Sequence, residues 1–146
     1  MTRLRSGAFF LVVALAHAGV VLGQEASYKV IVGSTNAIGS VSRAFLGRIF
    51  LKQVATWPNG QAVVPVDQAE GTTVREGFST EVLGRSVTAV KSYWQRQIFT
   101  GAAVPPVEKE SDAAVISFVR NNNGAVGYVG AAAQLPATVK VLRVTE

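Results

Sequence analysis

The chain has 146 residues, no cysteine, one histidine (His17) and a formal net charge of +5. The lack of cysteine excludes disulfides and thiolate metal sites. Because no histidine follows residue 17, zinc sites of the usual kind and Ser–His or Cys–His catalysis are excluded from the rest of the chain.

Residues 1–23 have the pattern of a secretory signal peptide. Arg3 and Arg5 form a basic start, an apolar run covers residues 8–15, and Val21 and Gly23 fit the last positions before a cleavage site. Cleavage there predicts a mature chain over residues 24–146, although Ala18 and Ala26 are other possible ends. A retained membrane anchor is the alternative interpretation, since residues 7–23 approach the shortest span of about 17 residues.

The predicted mature chain is mildly basic. Loss of two arginines leaves 12 basic against 9 acidic residues, a net charge of +3. This charge favours a small anion or an acidic partner surface, and no Lys/Arg cluster indicates nucleic-acid binding. The length fits one domain with one core.

The first predicted strand covers residues 28–32, YKVIV, and Gly33 to Asn36 interrupts it. Ser34 and Thr35 follow the end of this strand. Ligands of open α/β sheets bind at the carboxyl ends of strands, so both residues are candidate ligand contacts. The alternative is an ordinary loop that leads to the next helix.

The remaining elements follow from hydrophobic periodicity and turn residues. Helices are predicted over 42–51, 72–83, 87–99 and 112–120, and strands over 62–66, 125–129 and 139–144. Trp94 and Phe99 are expected in the core, and Pro105-Pro106 is expected to form an extended linker. The order β-α-β-α-α-α-β-β indicates an α/β fold with a small, largely parallel sheet flanked by helices.

One corner stands out as a candidate ligand site. The strand over 62–66 turns through residues 67–71 into a helix that starts at Thr72 or Thr73. The first N–H groups of such a helix lack internal partners and lie at the positive end of its dipole, which suits a small oxyanion. The alternative is that either threonine merely caps the helix.

Several motifs together resemble one protein family. WPNG at 57–60, YWQRQIFTG at 93–101 followed by two prolines, and NNNGAVGYVG at 121–130 occur in this order. With the FLGRIFLKQVAT run that begins at residue 45, they resemble the phosphate-binding-protein-like family, periplasmic substrate-binding proteins of the type 2 fold. The resemblance covers about residues 28–144.

The resemblance implies an oxyanion site at the same corner. Full-length members have two lobes that close on the anion, and this chain has the length of one lobe. Gly71, Thr72 and Thr73 match the family's turn at a helix N-terminus, whereas Glu70 replaces a serine and Val66 or Asp67 stands where an arginine is expected. Arg75, one turn later, is either the compensating charge or a solvated helix-face residue paired with Glu76 or its neighbours.

The sequence is therefore consistent with two functions. The first is a periplasmic binding protein for phosphate or a related oxyanion that feeds an ABC transporter, with no metal or other cofactor. The second is a single-lobe adaptor or sensor that binds another protein and no solute. An intermediate hypothesis is a homodimer whose two copies recreate a binding cleft. An enzyme is disfavoured because no carboxylates have the pattern of an acid/base pair.

Overall fold

The computed structural model describes residues 27–146, so the predicted signal peptide lies outside the described residues. In this part of the chain no helix is long and apolar enough to cross a membrane. The elements in chain order are β1 (Tyr28–Gly33), β2 (Ser40–Ser42), α1 (Arg43–Phe50), β3 (Val64–Gln68), α2 (Thr73–Val82), α3 (Val87–Phe99), β4 (Val107–Lys109), α4 (Asp112–Asn121), β5 (Ala125–Gly130), β6 (Val139–Val141) and β7 (Arg143–Thr145).

Five strands form the main sheet, in the order β4-β3-β5-β1-β6, and β2 pairs with β7 separately. Strand β3 runs parallel to β4 and β5, whereas β1 runs antiparallel to β5 and β6. Four of the five strands therefore point the same way. The predicted α/β class with a small, largely parallel sheet flanked by helices is confirmed.

Both faces of the sheet are covered by apolar side chains. Val30 and Val32 of β1 pack with α1 and α2 on one face, whereas Ile31 packs with α4 on the other. This alternation follows from the two-residue period of a strand. The first face also holds an aromatic cluster in which the rings of Phe78 and Tyr128 stack with centroids 3.8 Å apart.

The four predicted helices are confirmed, and each begins after a hydroxyl side chain that accepts a backbone N–H three residues later. The capping residues are Ser42, Thr72, Ser86 and Ser111. Such caps satisfy one of the N–H groups that a helix start leaves without a partner. Sequence signals therefore locate helix starts well in this chain.

Trp94 is buried as expected, but the placement of Phe99 in the core is wrong. Helix α3 buries Val90 and Trp94, whereas Phe99 is 93% exposed. Five residues correspond to about 140° around a helix, so Phe99 points away from the face that Trp94 buries. The apolar character of Phe99 is therefore not a sign that its side chain is buried.

The strand predictions differ from the structure in three places. The strand expected over 139–144 divides at Leu142, whose N–H donates to the Val30 carbonyl, and β7 then joins β2 in the second sheet. The strand expected over 62–66 is instead Val64–Gln68, because Asp67 and Gln68 pair with β4. Strands β2 and β4 were not predicted, because three-residue strands carry little periodicity.

Gly127 allows α4 to pack closely on β5. A Cβ atom at this position would lie 2.7 Å from methyl groups of Val66 and Val115. We expect Gly127→Ala to lower the free energy of unfolding by about 1–3 kcal/mol through overpacking, as measured by urea denaturation. Gly39→Ala is the matched control, since a Cβ there meets nothing within 4 Å. Equal midpoints for the two variants would contradict this account of the contact.

Candidate functional site

The predicted corner joins the end of β3 to the start of α2. Thr72 is the N-cap: its Oγ1 accepts the Arg75 N–H at 3.1 Å, and its carbonyl accepts the Glu76 N–H. Within residues 27–146, the N–H groups of Thr73 and Val74 have no protein acceptor. Thr73 is exposed, and Gly71 takes a positive φ of 88° that turns the chain into the helix. The corner thus offers two N–H donors at the positive end of α2.

Arg75 lies beneath this corner and not on a solvated helix face. The residue is 3% exposed, so the expectation that it pairs with Glu76 in solvent is wrong. Its Nη1 lies 2.5 Å from Asp67 Oδ1 and donates to the Gln68 carbonyl at 2.7 Å. Its buried Nε has no hydrogen-bond partner among the described residues. Burial of the guanidinium is possible because a carboxylate neutralises it.

Asp67 is the centre of a buried polar cluster. Its Oδ1 accepts hydrogen bonds from the Tyr128 hydroxyl and the Gln68 N–H, besides the ion pair with Arg75. Burial raises the pKa of Asp67 to about 6, although the charge of Arg75 and the two donors act in the opposite direction. Burial and the nearby Asp67 charge raise the pKa of Tyr128, so this hydroxyl stays a donor.

The N-terminus of α4 lies at the same edge of the sheet. Asp112, the first residue of α4, accepts the Gln68 side-chain amide at 2.6 Å and the Gly130 N–H at 3.2 Å. The carboxylate of Asp112 thus occupies the end of β5 and the start of α4, where a parallel sheet usually receives ligands. The protein supplies its own anion at this second position.

We define the carboxyl edge as the ends of β3, β4 and β5 together with the starts of α2 and α4. This edge is rich in acidic residues. It carries six of the chain's nine acidic residues: Asp67, Glu70, Glu76, Glu108, Glu110 and Asp112. Three basic residues accompany them, namely Arg75, Lys91 and Lys109, and Lys91 pairs with Glu70 at 3.3 Å. An incoming oxyanion would therefore meet net negative charge around the two free N–H donors.

Ser34 and Thr35 lie at the other edge of the sheet. Because β1 is antiparallel to β5, with Tyr28 opposite Gly130, the end of β1 lies where β3 and β5 begin. The expectation that Ser34 and Thr35 border the crevice at the carboxyl ends of the parallel strands therefore does not hold. These two residues and the 71–75 corner do not form one cluster. The reversal of β1, which carries no sequence signal, is the reason.

Comparisons with known proteins identify the fold. No protein-family model and no curated protein matches the sequence. Three of the similar solved structures each cover 81–82% of this chain. One, from Clostridium perfringens, is assigned as a phosphate ABC transporter substrate-binding protein and contains bound phosphate (16% identity, TM-score 0.63). The others are an ABC-type phosphate transport receptor from Vibrio cholerae (17%, 0.63) and PstS from Borrelia burgdorferi (14%, 0.56).

The chain has the fold of these substrate-binding proteins. The first is described as a substrate-binding protein and the second as a transport receptor, not as enzymes. The present chain spans 44%, 46% and 47% of their respective lengths, which is less than half of each. Sequence identities of 14–17% indicate a shared fold only, so the activity of these full-length proteins is not assigned to this chain.

The sequence predicts the corner but not most of its polar partners. The sequence pattern places Tyr128 in a strand, Gln68 in a turn and Asp112 in a helix, and it does not predict the polar contacts of these side chains. The acidic residue Asp67, eight positions before Arg75 at the end of the predicted strand, is the sequence signal for an internal ion pair. Within residues 27–146, no group of three or more acidic or histidine side chains is arranged to hold a metal ion.

The raised pKa of Asp67 gives a pH dependence of stability whose sign is opposite to that of an ordinary ion-paired carboxylate. Between about pH 4 and 6 the folded protein binds a proton at Asp67 that the unfolded chain has lost. The contribution of Asp67 to the free energy of unfolding therefore falls as the pH rises through this window. Urea denaturation of the wild type and Asp67→Asn at pH 4.5 and 6.5 measures the effect.

We expect the stability advantage of the wild type over Asp67→Asn to be smaller at pH 6.5 than at pH 4.5. All other titrating groups are shared by the two proteins, so their contributions cancel in the comparison. A larger advantage at pH 6.5 would mean that the ion pair with Arg75 outweighs burial and that the pKa of Asp67 lies below its usual value.

Proposed function

We propose that this protein is a periplasmic solute-binding protein that takes phosphate or a related oxyanion at the α2 corner. The observation that carries the proposal is the pair of N–H donors at Thr73 and Val74, which have no acceptor in the described chain and lie above the buried Arg75. The fold shared with a protein that contains bound phosphate supports it. The ligand contacts in this proposal are Gly71, Thr72, Thr73 and Arg75.

The geometry of the corner limits the affinity. A ligand there contacts one exposed turn and stays partly solvated, whereas tight sites enclose most of the ligand surface. The charge of Arg75 is already offset by Asp67 at 2.5 Å, so the guanidinium contributes less than a free one. Affinity for phosphate in the micromolar to millimolar range is therefore the expectation.

Export and delivery complete the proposal. Residues 1–23 serve as a signal peptide, residues 24–146 form one α/β domain in the periplasm, and a membrane transporter receives the solute. The neighbours described as an ABC transporter substrate-binding protein and a transport receptor support this assignment. No cofactor takes part.

Replacement of one donor tests the site directly. Proline is well tolerated at the first residue of a helix, where its missing N–H has no helical partner. Thr73→Pro therefore removes one proposed phosphate donor and leaves α2 intact, because Thr72 has the extended backbone that precedes proline readily. We expect isothermal titration with phosphate at low ionic strength to show a loss of affinity of about tenfold or more.

Val87→Pro is the matched control for this measurement. Val87 is the first residue of α3 and follows Ser86, a capping residue with the same extended backbone as Thr72. We expect Val87→Pro to bind phosphate like the wild type. Absence of heat and of a thermal shift for the wild type at millimolar phosphate would overturn phosphate as the ligand.

A second candidate function rests on exposed apolar residues near the end of α3. Ile98, Phe99 and Val104 are 55%, 93% and 66% exposed within seven residues of sequence. A protein-binding adaptor or sensor that takes no solute would use such a surface, and a homodimer is the simplest form of it. These exposed side chains favour contact with another polypeptide. This second function is independent of anion binding at the α2 corner.

Photo-crosslinking at position 99 in the source cells tests this second function, with the exposed position 137 as the control. One major protein adduct at position 99 and none at 137 supports an adaptor, and an adduct of twice the chain mass supports a homodimer. Equal, weak adducts at both positions would rule out a dedicated protein contact at the end of α3.

A further inference from the structure

A small cavity lies at the opposite end of the sheet from the α2 corner. It occupies about 210 Å³ between the end of β1, the end of α4 and the loop before β6. Its polar lining includes Ser34, Thr35, Asn36, Arg120, Asn123 and Thr138. The volume is below the roughly 300 Å³ from which pockets for drug-sized ligands start, so the cavity fits a compact ion with a few waters. We call it the β1-end cavity.

The polar side chains of this cavity are notable for having no internal partners. Among the described residues, the hydroxyls of Ser34 and Thr35 and the guanidinium of Arg120 make no hydrogen bond or ion pair with the protein. In contrast, the side chains of the carboxyl edge largely satisfy one another. Polar groups that converge on a cavity without internal partners are available to a ligand.

Asn36 supplies the most specific observation. The residue is 93% buried, since only 7% of its surface is exposed, and its Oδ1 accepts the Ile38 N–H at 2.8 Å. This bond fixes the orientation of the amide, because a flipped amide would place a donor against the Ile38 N–H. The amide nitrogen is then left buried without an acceptor in the protein. A buried donor of this kind is costly unless a ligand or water accepts from it.

The charges around the cavity determine the sign of its ligand. No carboxylate lines it, whereas Arg120 does, and Lys140 reaches the Asn36 carbonyl at 2.5 Å. The negative end of α4 also faces this region and offsets part of the positive charge. That offset is reduced because the Asn122 side chain donates to the Phe118 carbonyl and its carbonyl accepts the Ala125 N–H. The balance favours an anion.

We propose that the β1-end cavity binds a compact oxyanion, a phosphate or a small carboxylate, with Arg120 as the counter-charge and the Asn36 amide as a buried donor. The hydroxyls of Ser34 and Thr35 complete the donor set. This site is separate from the α2 corner and goes beyond the proposed function, since either site can exist without the other. The expected affinity is modest because Arg120 is exposed to solvent.

Site-resolved NMR titration of the purified ¹⁵N-labelled protein tests the proposal. Inorganic phosphate and acetate are added separately at constant ionic strength and pH 7.5. We expect saturable shifts of the backbone signals of Ser34, Asn36 and Gly124 and of the Asn36 side-chain amide. Shifts that affect Thr73 and Val74 alone would overturn this proposal and support the α2 corner. Shifts confined to the β1-end cavity would support this proposal and count against the corner.

Two variants and one control variant test whether the shifts depend on the residues of the β1-end cavity. Arg120→Ala is expected to weaken binding at the cavity by about tenfold, the usual effect of losing one charge-assisted hydrogen bond. Arg48→Ala removes an exposed arginine of α1 that does not line the cavity, and wild-type affinity is expected. Asn36→Asp keeps the acceptor for the Ile38 N–H but replaces the donor by a negative charge, so saturable shifts should disappear.

Wild-type affinity in Arg120→Ala would refute the proposal, whatever the outcome for Asn36→Asp. Arg120 is exposed, so its replacement is expected to leave the fold intact, and the dispersion of the amide spectrum checks this. A tenfold loss in Arg48→Ala as well would show that the shifts report general charge and not a site, and would equally refute it.

Discussion

The buried pair of Arg75 and Asp67 is the interaction on which the rest of the site depends. Both side chains are 4% exposed, and a charge of either sign left alone at that depth would cost several kcal/mol. The pair joins α2 to the end of β3, and the Tyr128 hydroxyl ties β5 to the same carboxylate. The ring of Tyr128 is itself held by its stack on Phe78, one turn after Arg75 on α2. The aromatic cluster and the ion pair therefore fix the same three elements, and the first turn of α2 cannot shift without disturbing both.

A consequence of this arrangement is competition between structure and ligand at the carboxyl edge. An anion at the start of α2 would draw on the helix N–H groups and on a nearby cation. Here the cation already has a partner, and Asp112 takes the corresponding position at the start of α4. The helix dipole still favours an anion by about 0.3–1 kcal/mol at an exposed end, and the carboxylates of the carboxyl edge oppose it. Binding at this edge is thus limited by the groups that stabilise the edge.

The sequence predicted the helices and the location of the corner because both depend on local signals. Capping hydroxyls at 42, 72, 86 and 111 and the apolar period of each helix act within a few residues, so they can be recognised without tertiary contacts. The direction of β1, the split at Leu142 and the burial of Arg75 depend on which strands and helices become neighbours. A single sequence does not report such neighbours. Arg75 in particular has the pattern of a surface residue and becomes buried only because Asp67, eight positions earlier, lies on the adjacent strand end.

The charges of the molecule fall into two regions. Six carboxylates gather where β3, β4 and β5 end, whereas Arg120 and Lys140 lie where β3 and β5 begin and no carboxylate lines the cavity there. A diffusing anion is attracted by the net positive charge of the whole chain but repelled locally at the carboxyl edge. Within about one Debye length, roughly 8 Å at physiological salt, the local charges decide. The same fold therefore presents a helix terminus with suitable hydrogen-bond geometry at one edge and suitable electrostatics at the other. At the β1-end cavity the buried Asn36 amide and the Arg120 charge act together, whereas at the carboxyl edge the carboxylate that neutralises Arg75 also opposes an incoming anion.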